Sequence, residues 1–230
     1  TFPCPTSSEG TADIAVGDFY CTTESNKTII LPRNAAGIPT GLTCKGIVFH
    51  IIDDFETFKS TNDLNDSNLN GYQEKHGLVV STKKGNNFGT VAAADIEQAF
   101  IDGNVEKYTD TETSNGYKLT QILVGTENLG FIALNNHTEK LNNSTAWYAP
   151  SFNELKYLIQ GENTQTGSTS GQEYINKQLK KINADELAGT IPSVTFYNGV
   201  GDHGLRLMTG GSENGWHGIP GEAFYPICAF

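Results

Sequence analysis

No stretch of this 230-residue chain approaches the roughly 20 consecutive apolar residues that span a bilayer, so no membrane-crossing helix is expected. The opening, TFPCPTSSEG, lacks the charged-then-apolar pattern of a signal peptide, and the chain is expected to be a mature or trimmed form. Positive charge is short: 15 Lys and Arg stand against 26 Asp and Glu, and the net charge of -11 disfavours nucleic acid and anionic membrane as partners. Cysteine is sparse. The four, at 4, 21, 44 and 228, show neither CxxC nor Cys/His spacing, which argues against a zinc site. In an exported chain they would pair as disulfides, with Cys21 and Cys44 the favoured partners. Three connectivities satisfy four cysteines, and four free buried thiols are the alternative.

Signatures of catalysis are missing as well. His76, His203 and His217 stand in no HExxH-like spacing, and no G-x-S-x-G elbow is present. GVGDHG around Asp202 lacks the Lys-Ser/Thr ending of a phosphate loop, and no pair among the many carboxylates is singled out as acid and base. The expectation is a protein that is not an enzyme and requires no cofactor. Calcium has a partial pattern: Asp66, Asn68 and Asn70, followed by Gly71, occupy the first, third, fifth and sixth positions of a calcium loop. The twelfth position is Gly77 where a bidentate Glu belongs, and a solvated Asn/Asp loop explains the same residues. Asn-x-Ser/Thr sequons stand at Asn26, Asn65, Asn136, Asn142 and Asn143, but in an Asn-rich chain many arise by composition, and they do not establish a eukaryotic secreted origin.

What the chain does have is globular. Hydrophobic residues make up 37%, with twelve Phe and nine Tyr, enough to bury a core in one large domain. Residues 1–15, rich in Ser, Thr, Pro and Gly, read as a flexible arm. β-Branched and aromatic runs predict strands over Val16–Cys21, Thr28–Leu31, Gly46–Ile52 and His76–Ser81, giving a β-rich opening segment (16–52) and, over 53–75, a polar surface loop. Apolar residues recurring at three and four predict helices over Ala92–Ile101 and Glu127–Asn135. Ser151 with Glu154, after Pro150, forms a capping box, and Phe152, Leu155, Leu158 and Ile159 line one face behind it. Ser170 with Glu173 reads as a second box, opening a helix with Ile175, Leu179 and Ile182. From Ile191 onward strands and loops return. Strands, then helices, then strands indicate an α+β domain.

The stretch from Val194 to Phe230 is the most distinctive. Eight glycines between Gly199 and Gly221 separate Tyr, Trp, His, Asn, Asp and Arg, which predicts tight irregular loops presenting side chains outward. Aromatic area at low rotamer cost beside directional hydrogen-bonding groups is the mixture of a binding surface. Tyr197, Asn198, Asp202, His203, Arg206, Asn214, Trp216 and His217 are the candidate ligand-binding residues.

Several blocks together carry a resemblance. VGDFYC (Val16 to Cys21), KGIVFHI (Lys45 to Ile51), HGLVVS (His76 to Ser81), WYAPSFNELKYL (Trp147 to Leu158) and the closing FYPICAF resemble surface proteins of Bacteroidetes that end in a C-type-lectin-like domain. The likeness covers roughly residues 16–230, and its most specific element is the Trp-Tyr-x-Pro-Ser-x-x-Glu-Leu helix start. Two departures stand out: Tyr225 occupies the place of the usual Arg in the closing strand, and TFYN at Thr195 to Asn198 replaces a Tyr-Trp-Ser-Ser-Thr-like block. The resemblance implies a C-type-lectin-like fold with small antiparallel sheets, paired terminal strands, two main flanking helices and long loops near the C-terminus that form the binding face. The calcium-dependent sugar signature of animal C-type lectins is absent, so sugar binding through calcium is not implied. Similar folds serve as the variable ligand-binding proteins of diversity-generating retroelements. A related fold builds formylglycine-generating enzymes, whose paired active-site cysteines have no counterpart in the spacing here.

The expected function is a cell-surface or secreted module, tethered through a segment upstream of residue 1, that binds a protein or glycan in adhesion. The alternatives are a structural or tip subunit of a surface fibre, its N-terminal arm added to a neighbour's sheet, and a diversified receptor-binding protein of a retroelement or phage. A hydrolase using a His and a carboxylate has only residue availability behind it.

Overall fold

The computed structural model describes residues 13–65, 67, 69–127, 129–199, 202–215 and 221–230. In chain order the elements are β1 (Phe19–Thr23), β2 (Thr28–Leu31), β3 (Leu42–Ile52), α1 (Phe55–Thr61), β4 (His76–Ser81), α2 (Ala93–Asp102), α3 (Gly116–Gly125), α4 (Phe152–Gln160), α5 (Ser170–Lys181), β5 (Thr190–Gly199), β6 (Asp202–Thr209), β7 (Ser212–Gly215) and β8 (Ile227–Ala229). The architecture is α+β, with a five-stranded sheet ordered β2-β1-β3-β4-β8 and a three-stranded sheet ordered β5-β6-β7, every pairing antiparallel.

Alternation along the strands divides the larger sheet into two buried faces. Phe19, Cys21, Ile47, Phe49, Leu78, Val80, Ile227 and Ala229 point to a core completed by Phe152, Leu155, Leu158 and Ile159 of α4 and Ile175 and Leu179 of α5. Tyr20, Val48, Val79, Cys228 and Phe230 point the other way, against Ile14, Leu141 and Trp147. A third core joins the smaller sheet, through Val194, Phe196 and Leu205, to Ile96 and Phe100 of α2 and Leu119 and Leu123 of α3.

Several expectations are corrected. The terminal strands do not pair: β8 adds to β4, and the long β3 has one edge on β1 and the other on β4, leaving both between the first strand and the last. The 53–75 segment carries α1, capped by Asp54, whose carboxylate accepts from Thr57 N, and it buries Phe58, Leu64 and Leu69. None of the described residues in 127–135 is helical. Leu129 and Ala133 are buried there, but the chain turns at Gly130, whose φ of +66° is left-handed. The helix lies earlier, in α3, and there are five helices among the described residues rather than two main ones. Ser170 is the first residue of α5, not its cap; Thr169 holds the cap position and its hydroxyl donates to Glu173 Oε1 at 2.6 Å. Of the expected arm, residues 1–12 lie outside the described residues, while Ile14 is buried.

The capping box of α4 forms as expected and does more than cap. Glu154 is fully buried. Its carboxylate accepts from the Ser151 N–H at 2.7 Å, from the Tyr148 hydroxyl at 3.1 Å and from the Gly116 N–H at the start of α3. A side chain at Gly116 would collide with that carboxylate. Thr195 of β5 completes the junction, its hydroxyl accepting from Phe152 N at 2.7 Å. β5 reaches this position through a register irregularity between Pro192 and Phe196, and Val194 N donates to the Pro150 carbonyl at 2.9 Å.

Burial pushes the Glu154 carboxyl up from the ordinary carboxylate range to about 7, despite its donors. A carboxyl whose folded pKa is raised contributes stability that is fully present below the unfolded pKa and is lost as pH rises through the folded one. His76 and His137, pushed down chiefly by burial, act in the opposite sense, so the comparison of interest is parent against Glu154→Gln. The parent is expected to lose on the order of 3 kcal/mol relative to the variant between about pH 4 and pH 8, read by urea unfolding at each pH. A second outcome concerns the β6–β7 turn, where Gly210 (φ +55°) and Gly211 (φ +76°) are both left-handed and a side chain at Gly211 would strike the Ser168 carbonyl. Gly211→Ala is expected to cost at least about 1 kcal/mol in the same measurement.

Candidate functional site

The C-terminal stretch expected to be irregular loops is instead a strand meander through residue 215. Its glycines explain the difference. Gly204 lies opposite Tyr197, Gly210 and Gly211 make the two-residue hairpin turn, and Gly199 sits where a side chain would meet the Tyr197 ring. They serve close packing and turns inside regular structure.

Strand alternation sorts the candidate residues onto two faces. Tyr197, Gly204 and Arg206 share one face, because Tyr197 pairs with Gly204 and Arg206 lies two residues on. This face packs on α4. The Arg206 guanidinium lies over the Tyr197 ring at 5.0 Å and over the Phe152 ring at 6.0 Å, and Nη1 is ion-paired with Glu213 of β7. Arg206 keeps 16% side-chain exposure and holds the sheet to the α4 start. These two candidates are largely occupied by intramolecular contacts.

Asn198 and His203 pair directly on the opposite face, beyond the apolar contact of Phe196 and Leu205 with α2. Both converge on Glu97 of α2: Asn198 Nδ2 donates to Oε1 at 3.0 Å, and His203 Nδ1 stands 3.9 Å from Oε2. The Tyr108 hydroxyl belongs to the same group, its pKa raised by burial and then by the Glu97 carboxylate, with which it is hydrogen-bonded. Tyr108 is fixed by packing on Phe100 and Phe196 and by its carbonyl, which accepts from Phe196 N at 2.8 Å. Asn214 is exposed on the same face of β7, opposite Leu207, roughly 13 Å along the strand from His203. The structure therefore brings Asn198 and His203 together, adds Glu97 and Tyr108, and sets Asn214 at a distance.

Asp202 is the first residue of β6; Trp216 and His217 lie outside the described residues. So do Asp66 and Asn68 of the calcium pattern. Asn70 is described, its N–H donating to Asn143 Oδ1 at 2.8 Å, while Asn143 Nδ2 donates to the Gly71 carbonyl. The loop ends in a turn from Tyr72 to Lys75 that leads into β4. Among the described residues no group of three His, Cys, Asp or Glu side chains is placed to hold a metal ion. No helix among them is long and apolar enough to cross a membrane.

A Ser/His contact invites a catalytic reading. Ser81 Oγ lies 2.9 Å from His137 Nε2. The same Nε2 lies 3.1 Å from the Lys83 carbonyl, which only accepts, so the proton belongs on Nε2. In that tautomer Nε2 cannot take the Ser81 proton, and Nδ1 is buried with no partner to orient the ring. This pair is a structural tie beneath Trp147, whose ring meets His137 edge-on at 5.8 Å.

Arrays of this kind, with an acceptor carboxylate, a phenol, an amide and an imidazole at one end of a sheet, are suited to hydrogen-bonding an external ligand. Glu97 and Tyr108 carry no motif. A half-buried acidic residue on an amphipathic helix and one aromatic in a loop have no signal that links them to residues about ninety to a hundred positions away.

A double-mutant cycle separates the holding face from the open one. Tyr197→Ala and Arg206→Ala are each expected to destabilise the fold by about 1–3 kcal/mol, with a coupling of about 0.5–2 kcal/mol by denaturant unfolding. Asn198→Ala and His203→Ala are expected to stay within about 0.5 kcal/mol of the parent. No family model matches this chain, and neither a curated protein nor a solved structure matches it.

Proposed function

We propose that the protein is a ligand-binding module of the C-type-lectin-like kind, working at a cell surface or outside the cell. It binds a glycan or protein through the open end of the β5-β6-β7 sheet. The observation that carries this reading is the convergence of exposed Asn198 and His203 with Tyr108 on Glu97, held over a core that leaves these polar groups outward. The family reading draws its support from the Trp147-to-Leu155 block, which forms the buried junction of α3, α4 and β5, and from the closing strand, which completes a sheet. The site is polar, which suits an extended ligand held by several modest hydrogen bonds.

Asn198→Ala/His203→Ala and the parent, applied to a panel of immobilised glycans and extracellular proteins, test the reading. With two hydrogen-bonding side chains removed, binding is expected to fall about tenfold or more while the thermal midpoint is unchanged. Equal binding by a folded double variant would remove this face from the function. Repeating the panel with a chelator is expected to leave binding unchanged.

A further inference from the structure

Cys21 and Cys44 stand directly opposite one another across β1 and β3, next to a bulge, and their thiols are in contact. Opposed residues of an antiparallel pair have Cα atoms about 4.5–5.5 Å apart, within the roughly 4.4–6.8 Å that a disulfide spans. Both are free thiols in this structure. Their access differs. Cys21 is fully buried, whereas Cys44 is half-buried and forms part of the wall of an open cavity of about 800 Å³, shared with Ile38, Lys83, Lys84, Ile182 and Asp185.

The third described cysteine cannot join them. Cys228 points to the face of the sheet opposite Cys21, and β3 and β4 lie between their strands. Three strand spacings amount to about 14 Å, and even from Cys44 two spacings amount to about 10 Å, beyond the roughly 7 Å limit for bridging.

We propose that Cys21 and Cys44 form a thiol–disulfide exchange site, entered through this cavity by a small anionic disulfide and closed as a cross-strand disulfide. The Cys44 thiolate attacks one sulfur of the incoming disulfide, which breaks its S–S bond, forms a mixed disulfide and releases one thiolate. Cys21 then gives up its proton and attacks the Cys44 sulfur, forming the protein disulfide and expelling the second thiolate. The two cysteines lose two protons and two electrons, and the incoming disulfide leaves as two thiols. Cys44 is the entering sulfur because solvent reaches it. The neighbouring Cys44 thiol and burial push the Cys21 thiol well above the ordinary range, so it acts only in the second step. Lys83 and Lys84 on the cavity wall favour a carboxylate-bearing disulfide.

Glutathione disulfide is the probe, applied to the native full chain carrying Cys4→Ser so that the residue outside the described structure takes no part. Intact mass is expected to fall by two hydrogens, and non-reducing peptide mapping is expected to join Cys21 to Cys44. Adding Cys21→Ser is expected to trap a glutathionyl adduct on Cys44, and adding Cys44→Ser instead is expected to abolish the reaction. A lasting glutathionyl adduct on Cys44 when Cys21 is present, a crosslink to Cys228, undiminished reaction in the Cys44→Ser chain, or no reaction in native protein would each overturn the proposal. The Cys4→Ser chain alone decides it if the further variants fail to fold.

Discussion

One buried carboxylate organises the middle of the molecule. Glu154 gathers the N–H groups at the starts of α3 and α4, together with the Tyr148 hydroxyl, around a single acceptor. Both helix ends contribute partial positive charge, which is the favourable environment for an anion, while burial opposes it. Tyr148 in turn exchanges backbone hydrogen bonds with Ile227, so the same contact reaches the last strand of the large sheet. The starts of the two helices are thereby tied to one side chain and given a fixed relative position.

That junction decides how the smaller sheet can sit. Thr195 satisfies the first turn of α4, which holds β5 across the helix start, and the irregular pairing between Pro192 and Phe196 gives β5 the slack to reach it. Alternation then does the sorting: one face of β5 and β6 closes on α2 and α3, and on the other Arg206 reaches from the Tyr197 ring to Phe152. Polar side chains beyond both contacts are left with Glu97 and Tyr108.

What was legible in the chain was local. The capping box at Ser151 reads directly because both partners lie within four residues, and β4 reads because a short β-branched run between polar segments has few alternatives. α1 was hidden because it is only seven residues long in a mostly polar segment, and Phe55 and Phe58 supply a single helical spacing, too short to read as a repeat. α3 has no side-chain cap and begins with a glycine required for close approach to Glu154, a reason that exists only in three dimensions. Glycine-rich sequence between Gly199 and Gly215 pointed to loops because the glycines needed for a tight meander and those of an irregular coil are the same letters. The candidate site was half legible: residue types marked Asn198 and His203, whereas their partners, Glu97 and Tyr108, come from a helix and a loop with no motif.

The two faces of β5 and β6 also divide the work of selection. Side chains on the α4 face are constrained by packing, and exchanging them disturbs the helix junction. Asn198, His203 and Asn214 touch little that is buried, so their identities can drift at small thermodynamic cost. A surface of this construction can acquire a new chemical preference without first acquiring spare stability, because the residues that would change are not those on which folding depends.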